Sequence, residues 1–460
     1  MKRAALLLVL SSAAVLAFDG PAKEVPPAGS APKPFKLAAT EDFTLPNGMQ
    51  VTLAPYGVVP KVAIRAFVDA GAVREPADKV WLSKLTALLM TEGTAKRSAE
   101  QIAKEAADMG GQLDVEAAND SATAGGVVLS EYASQFAALL ADVLENATLP
   151  SSELARLRAD LVRQLAVEKA RPGSLARERF LQVTFPDQPY GRSYPSSEAL
   201  AGYTLADVQV FFAQNFAASR THLYVVGKFD SAVKESITQA FGSWKQGQPA
   251  TLPTPKPIQR YSLQQMDRPG AAQSTVYVGL PVAGPKSPDY VTLDVMNSLL
   301  GGSFGSRITS NIRENKGYTY SPYSFLGRAG HAAYWVEVAD VTTAVTGPSL
   351  HEIFGEVNRL RKDPPAGKEL KGIQNYLSGL FVLRNTISPD AVISQLHFVD
   401  SQELDRSYLF NYVPKVNAVA PSDIQRVTES YLVPSKMTVV VVGDEGKIAD
   451  QMKEFATVPQ

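Results

Sequence analysis

Two hydrophobic periods alternate along this chain. Gln50 to Ala54 and Val62 to Ala70 carry strand patterning on either side of a turn at Pro55, Tyr56, Gly57 and Pro60. Val80 to Glu92 places Leu82, Leu85, Leu88 and Leu89 at helical spacing and stops at Gly93. Ser98 and Gln101 form a capping box that predicts a helix running to Gly110-Gly111. Gln112 to Glu116 and Ala122 to Ser130 read as strands, and Tyr132 to Glu145 and Ser152 to Lys169 as helices. The predicted class is α+β, with mostly antiparallel strands backed by long helices.

The pattern then repeats. Leu205-Ala-Asp207-Val208-Gln209, Ser219-Arg220 and Val225-Val226-Gly227 return as Pro421-Ser-Asp423-Ile424-Gln425, Ser435-Lys436 and Val441-Val442-Gly443, each 216 residues later without a gap. In both copies a capped helix leads through a turn into a β-branched run closed by glycine. One register held over so many physically matched positions implies two homologous domains. The proline-rich stretch from Gly247 to Pro257 separates them. The expected boundaries are 41–246 and 267–460, joined by a linker over 247–266.

Ahead of the repeat, Lys2 and Arg3 precede an apolar run from Ala4 to Ala17. That run is shorter than the roughly 20 residues a bilayer span needs, and it exits through Val15-Leu16-Ala17. It reads as a signal peptide, 1–17, cleaved near Ala17, with a proline-rich linker over 18–40. Export is the expectation, to a periplasm in preference to the exterior. No later segment is apolar enough for a membrane span.

Composition narrows the chemistry. Lys and Arg total 45 against 46 Asp and Glu, so the net charge of −1 gives no pull toward nucleic acid. With no cysteine, disulfides, thiolate metal sites and cysteine nucleophiles are excluded. The four histidines, His222, His331, His351 and His397, contain no i,i+3 or i,i+4 pair, and read as structural or surface groups. The Gly301-Gly-Ser-Phe-Gly-Ser306 loop lacks a phosphate-binding context and reads as a packing or hinge loop.

Several phrases carry a family resemblance through their order and spacing. They include Thr44-Leu-Pro-Asn-Gly48, Val68-Asp-Ala-Gly71, Glu92-Gly-Thr94, Gln188-Pro-Tyr-Gly-Arg192, Leu300-Gly-Gly-Ser-Phe-Gly-Ser-Arg307 and Arg313-Glu-Asn-Lys-Gly-Tyr-Thr-Tyr320. Over residues 41 to 446 the chain resembles the pitrilysin/insulinase (M16) zinc peptidases, in the branch with the mitochondrial processing peptidase subunits and small bacterial two-domain members. The resemblance implies a His-x-x-Glu-His helix that ends at Gly93-Thr94, where residues i and i+4 bind zinc and the Glu acts as general base. Here those positions hold Lys84, Leu88 and Ala87, and the third ligand position, two turns before Pro172, holds Gln164. No metal is therefore expected in this chain.

The second-domain Arg and Tyr of the family are present as Arg313 and Tyr320. A guanidinium and a phenol suit a substrate carbonyl that gains charge. The resemblance also marks Gln112, Leu113, Asp114, Val115 and Glu116 as the edge on which active members lay an extended peptide; an ordinary paired strand is the alternative. The expected role is that of a non-catalytic subunit, without a cofactor of its own. It would enclose peptide substrates and lend Arg313 and Tyr320 to a zinc-bearing M16 partner with His-x-x-Glu-His. A stand-alone peptide-binding protein and a structural core-like subunit are the alternatives.

Overall fold

A computed structural model describes residues 37, 39–249 and 251–458. The expected signal peptide and most of the 18–40 linker lie outside them. Pro34–Gln460 form one compact unit, and no helix among the described residues is long and apolar enough to cross a membrane.

Two sheets organise the unit. The first contains β1 (Glu41–Thr44), β2 (Gln50–Pro55), β3 (Lys61–Val68), β4 (Asp114–Ala117), β5 (Ala122–Leu129) and β6 (Thr221–Gly227), in the order β1-β2-β6-β3-β5-β4. The second contains β7 (Ser262–Asp267), β8 (Gln273–Val282), β9 (Tyr323–Ala329), β10 (Ala332–Thr342) and β11 (Thr438–Gly443), in the order β7-β11-β8-β10-β9. Apart from β1 the two orders are the same. In each sheet one pair is parallel, β2 with β6 and β7 with β11, and the others are antiparallel. The two-domain α+β reading thus holds. The expected linker ends too late, however: residues 262–266 already pair with β11, so the second half begins with β7.

The first half carries helices α1 (Leu82–Met90), α2 (Ala99–Asp108), α3 (Ala133–Asn146), α4 (Ser151–Ala170), α5 (Pro172–Thr184), α6 (Ser197–Ala201), α7 (Leu205–Asn215) and α8 (Ala232–Phe241). The second carries α9 (Tyr290–Asn297), α10 (Thr346–Lys362), α11 (Gly367–Asn385), α12 (Pro389–Ser401), α13 (Ser407–Ala418), α14 (Pro421–Tyr431) and α15 (Glu445–Met452). Helices α7 and α14 lie at the 216-residue offset. The Ser98–Gln101 capping box forms as the sequence requires.

Each half buries one sheet face under its own helices. The other face is covered by a helix from the opposite half. Phe180, Leu181 and Phe185 on or beside α5 pack on Tyr277, Tyr334, Val440 and Val442 of the second sheet. Reciprocally, Val392, Ile393, Leu396 and Val399 of α12 pack on Ala54, Ala63, Tyr224 and Val226 of the first. Burial on both faces explains why β6 and β11 read as continuous apolar runs instead of alternating ones. Polar contacts add direction to the exchange: Arg65 Nε and Nη2 donate to the two carboxylate oxygens of Asp390 at 3.1 and 3.3 Å, and Tyr224 donates its hydroxyl to Asp400 at 2.8 Å.

Candidate functional site

Helix α1 packs against β4 and α4, and it carries Lys84, Ala87 and Leu88, the positions at which the family pattern would place two metal ligands and the base. The helix is started by an acid: Glu75 accepts hydrogen bonds from the Trp81 and Ser83 backbone N–H groups at 3.0 and 2.8 Å and from the Ser83 hydroxyl at 2.5 Å. Trp81 sits at φ 73°, in the left-handed region where a bulky residue is uncommon. Burial pushes the Glu75 carboxyl up to about 7, against the opposing pull of those donors. The helix ends at Met90, and the chain turns away three residues later at Gly93, whose φ of 149° favours glycine. Thr94 then donates to buried Asp142 at 2.7 Å and accepts from the backbone of Lys96 and Arg97. The Gly-Thr phrase is therefore a structural anchor for the end of α1.

Lys84 is half-buried, and its ammonium lies 4.4 Å from the centroid of the Trp81 ring. Burial lowers its pKa, while the nearby Glu168 and Glu116 charges favour the ammonium. Ala87 is buried in the first core, Leu88 packs against that core, and Gln164 is exposed on α4. The residue of α4 whose charge acts on Lys84 is Glu168, one turn beyond Gln164. Its carboxylate accepts from Ser174 at 2.7 Å and pairs with Arg171 at 3.2 Å, and Tyr194 reaches it at 3.5 Å. A zinc ion does not fit these residues. A cation already occupies the acidic environment, Leu88 and Ala87 have no donor atom, and no three His, Cys, Asp or Glu cluster to hold a metal among the described residues.

The expected peptide edge is shorter than the sequence reading. Only Asp114, Val115 and Glu116 of the five lie in β4; Gln112 and Leu113 precede it. Strand β4 is at the end of its sheet and pairs only with β5 among the described strands. Asp114 and Glu116 are exposed, whereas Val115 is buried.

In the second half, π-helical turns at Ser298–Gly302 and Thr309–Asn315 flank the glycine-bearing loop. Arg307 is consumed structurally, donating through two nitrogens to Glu369 at 2.7 and 2.9 Å. Arg313 is placed differently. Its guanidinium carbon lies 4.2 Å from the centroid of the Phe304 ring and 5.4 Å from that of Tyr320. Its ion pair is with the adjacent Glu314, at 3.3 Å. Gly317, at φ 67°, turns the chain after the helix so that Tyr320 follows. Phe304 and Tyr320 are 71% and 81% exposed, far more than rings used for packing.

The sites on the two halves approach one another. A cleft of about 540 Å³ is lined by Glu168, Ser174, Tyr194, Gln273, Tyr323 and Asp340, and a groove of about 340 Å³ by Gly302, Phe304, Arg313, Tyr320 and Tyr323. Tyr323 borders both. Glu75, Glu168, Tyr194, Phe304 and Tyr323 were not singled out by sequence reasoning. For Glu168 a helical signal existed, since it lies on the long α4 just before Pro172, and Phe304 lies within the Leu300–Arg307 phrase; for the others none did.

A two-half fold, a zinc-position helix without zinc donors and an Arg–Tyr pair whose tyrosine is exposed define a peptidase-like chain. The insulinase (peptidase family M16) model matches residues 53–196, and the model described as the peptidase M16 inactive domain matches 202–377. The chain belongs to the M16 family. It is 23% identical to the uncharacterized zinc protease YmxG of Bacillus subtilis, over 74% of this chain and 83% of that one. An uncharacterized zinc protease of Rickettsia felis is 26% identical, over 61% and 68% respectively. Among solved structures, a peptidase M16 inactive domain from Pseudomonas fluorescens superposes with a TM-score of 0.82 at 22% identity, covering 88% of this chain and 98% of that one.

Proposed function

We propose that this chain is the non-catalytic subunit of a two-subunit M16 metallopeptidase. It closes a peptide-enclosing chamber against a zinc-bearing partner that carries His-x-x-Glu-His, and it supplies Arg313 and Tyr320 to the partner's site. The observation that carries this reading is an asymmetry. The α1 face has an ammonium and aliphatic groups where zinc donors would be needed, while the partly buried Arg313 stands between two exposed rings, its one ion pair being with the adjacent Glu314. A guanidinium with fixed orientation is a preorganised donor for an oxyanion. The Tyr320 hydroxyl supplies a second donor beside it.

In this account the zinc belongs to the partner, and the proposed place of action is an exported compartment, a periplasm in preference to the exterior. Mixing the purified chain with an M16 subunit that carries the zinc motif is the test. Peptide cleavage should rise on mixing and fall by about a hundredfold or more with Arg313→Ala, the scale of one lost oxyanion donor. Equal cleavage by wild type, Arg313→Ala and Tyr320→Phe would remove the catalytic role. The outer side of β4, unpaired among the described strands, favours a second reading, a stand-alone peptide-binding protein. That reading requires peptide binding by the chain alone and no stimulation of any peptidase.

A further inference from the structure

The reciprocal helix exchange leaves a cavity of about 880 Å³ between the two halves, separate from the Arg313 groove. Its wall joins Phe67 and His222 of the first sheet, Arg328 of β9, and His397, Phe398 and Gln402 at α12. Several polar atoms on this wall are uncommitted. Gln402 is 4% exposed; its side-chain nitrogen donates to Gly330 O at 3.3 Å, but its Oε1 has no hydrogen-bond partner among the described residues. The hydroxyl of Ser219 on the same wall is likewise buried without a partner among them. His397 stacks on Phe67 with centroids 3.6 Å apart and makes no hydrogen bond among the described residues. Buried polar groups are ordinarily satisfied, so such a concentration around one cavity calls for an occupant.

The charges indicate its chemistry. Asp69 and Asp400 line the cavity but are paired with Arg74 and Arg406. Arg177 and Arg328, on the same wall, form no ion pair with a carboxylate among the described residues, whereas Arg220 is held by Gln248 O at 2.8 Å and Asn215 Oδ1 at 2.9 Å. Arg328 lies over the Phe398 ring at 4.6 Å, which orients its guanidinium. Asp120 accepts from Tyr190 at 2.8 Å and has no cationic partner within ion-pair distance among the described residues. The wall therefore presents cationic forks for an anion, together with acceptors at Asp120 and Gln402 for a donor. Aromatic faces lie between them. An inorganic anion would satisfy only the first and would fill little of the space.

We infer that this cavity binds the free carboxylate end of a short peptide. Arg328 and Arg177 hold the carboxylate, Gln402 Oε1 and Asp120 accept from the peptide nitrogen or ammonium, and Phe67, His397 and Phe398 contact a side chain. This inference stands whether or not the chain pairs with a zinc-bearing subunit, because it concerns a different surface.

Isothermal titration calorimetry on the full mature chain tests it, using alanyl-phenylalanine, its C-terminal amide and inorganic phosphate. The dipeptide should bind, with the amide about tenfold or more weaker because a charge-assisted hydrogen bond is lost. Arg328→Gln, at an exposed position on an edge strand, should weaken the dipeptide by a similar factor while leaving the melting temperature unchanged. Gln402→Leu, which removes the unpaired acceptor, is the second variant and should weaken binding independently of charge. No heat at millimolar dipeptide, equal binding of acid and amide, or displacement of the dipeptide by equimolar phosphate would overturn the assignment. So would unaltered dipeptide binding by both variants.

Discussion

The reciprocal exchange of α5 and α12 predicts that a first-half side chain controls the stability of the second half. Phe180 is 1% exposed, and its ring lies 5.5 Å from Tyr334 and 6.4 Å from Tyr277, both in the second sheet. Phe180→Ala should cost about 3–5 kcal/mol, the sum of lost apolar transfer and an incompletely collapsed cavity. The three tryptophans allow the effect to be localised, because Trp81 and Trp244 lie in the first half and Trp335 is fully buried in the second. In a Trp81→Phe, Trp244→Phe background, urea unfolding followed by Trp335 fluorescence reports the second half alone. With m at roughly 3 kcal/mol/M, the upper end for small proteins, the Phe180→Ala change should move that transition down by about 1–1.7 M, and by less as m grows with the surface exposed on unfolding. If the Trp335 transition stayed in place while far-ultraviolet circular dichroism lost a separate early phase, the halves would be independent and the exchange energetically unimportant.

Two buried titratable groups give opposite pH dependences. Glu75 is raised from 4.5 to about 7 by burial, so its folded-state benefit is complete below about 4.5 and lost as pH rises through 7. Glu75→Gln should flatten that loss, worth up to roughly 3 kcal/mol, in melting temperatures measured from pH 4.5 to 8; an unaltered slope would place the group's ionisation elsewhere. His222 is lowered from 6.5 to about 4, first by burial, with Asp400 opposing and Arg406 reinforcing the shift. Its contribution is present above 6.5 and lost as pH falls through 4, so His222→Gln should be less sensitive to acid over that window. Equal acid sensitivity in the variant and the wild type would contradict this.

The repeat was legible because its strongest signals are local. The β-branched runs of β6 and β11 and the capping residues of α7 and α14 follow from neighbouring residues. The boundary at β7 was not, since Ser262–Asp267 is polar enough to resemble a linker and becomes a strand through its parallel partner β11. The same distinction applies to the site. Counting from Gly93 assigned Lys84, Ala87 and Leu88, whereas the Glu168 carboxylate beside Lys84 depends on helices far apart in sequence. The cavity between the halves was not legible at all. His222 and His397 are 175 residues apart, and only the insertion of α12 onto the first sheet brings them to one wall.

In the proposed two-subunit enzyme the catalytic metal is supplied by the other chain. Metal analysis of the purified full chain, dialysed against buffer with micromolar zinc, tests this most directly. The chain should hold zinc far below one atom per molecule, unchanged by Lys84→Ala. Stoichiometric zinc that survives dialysis would contradict it and return the chain to the catalytic members of its family.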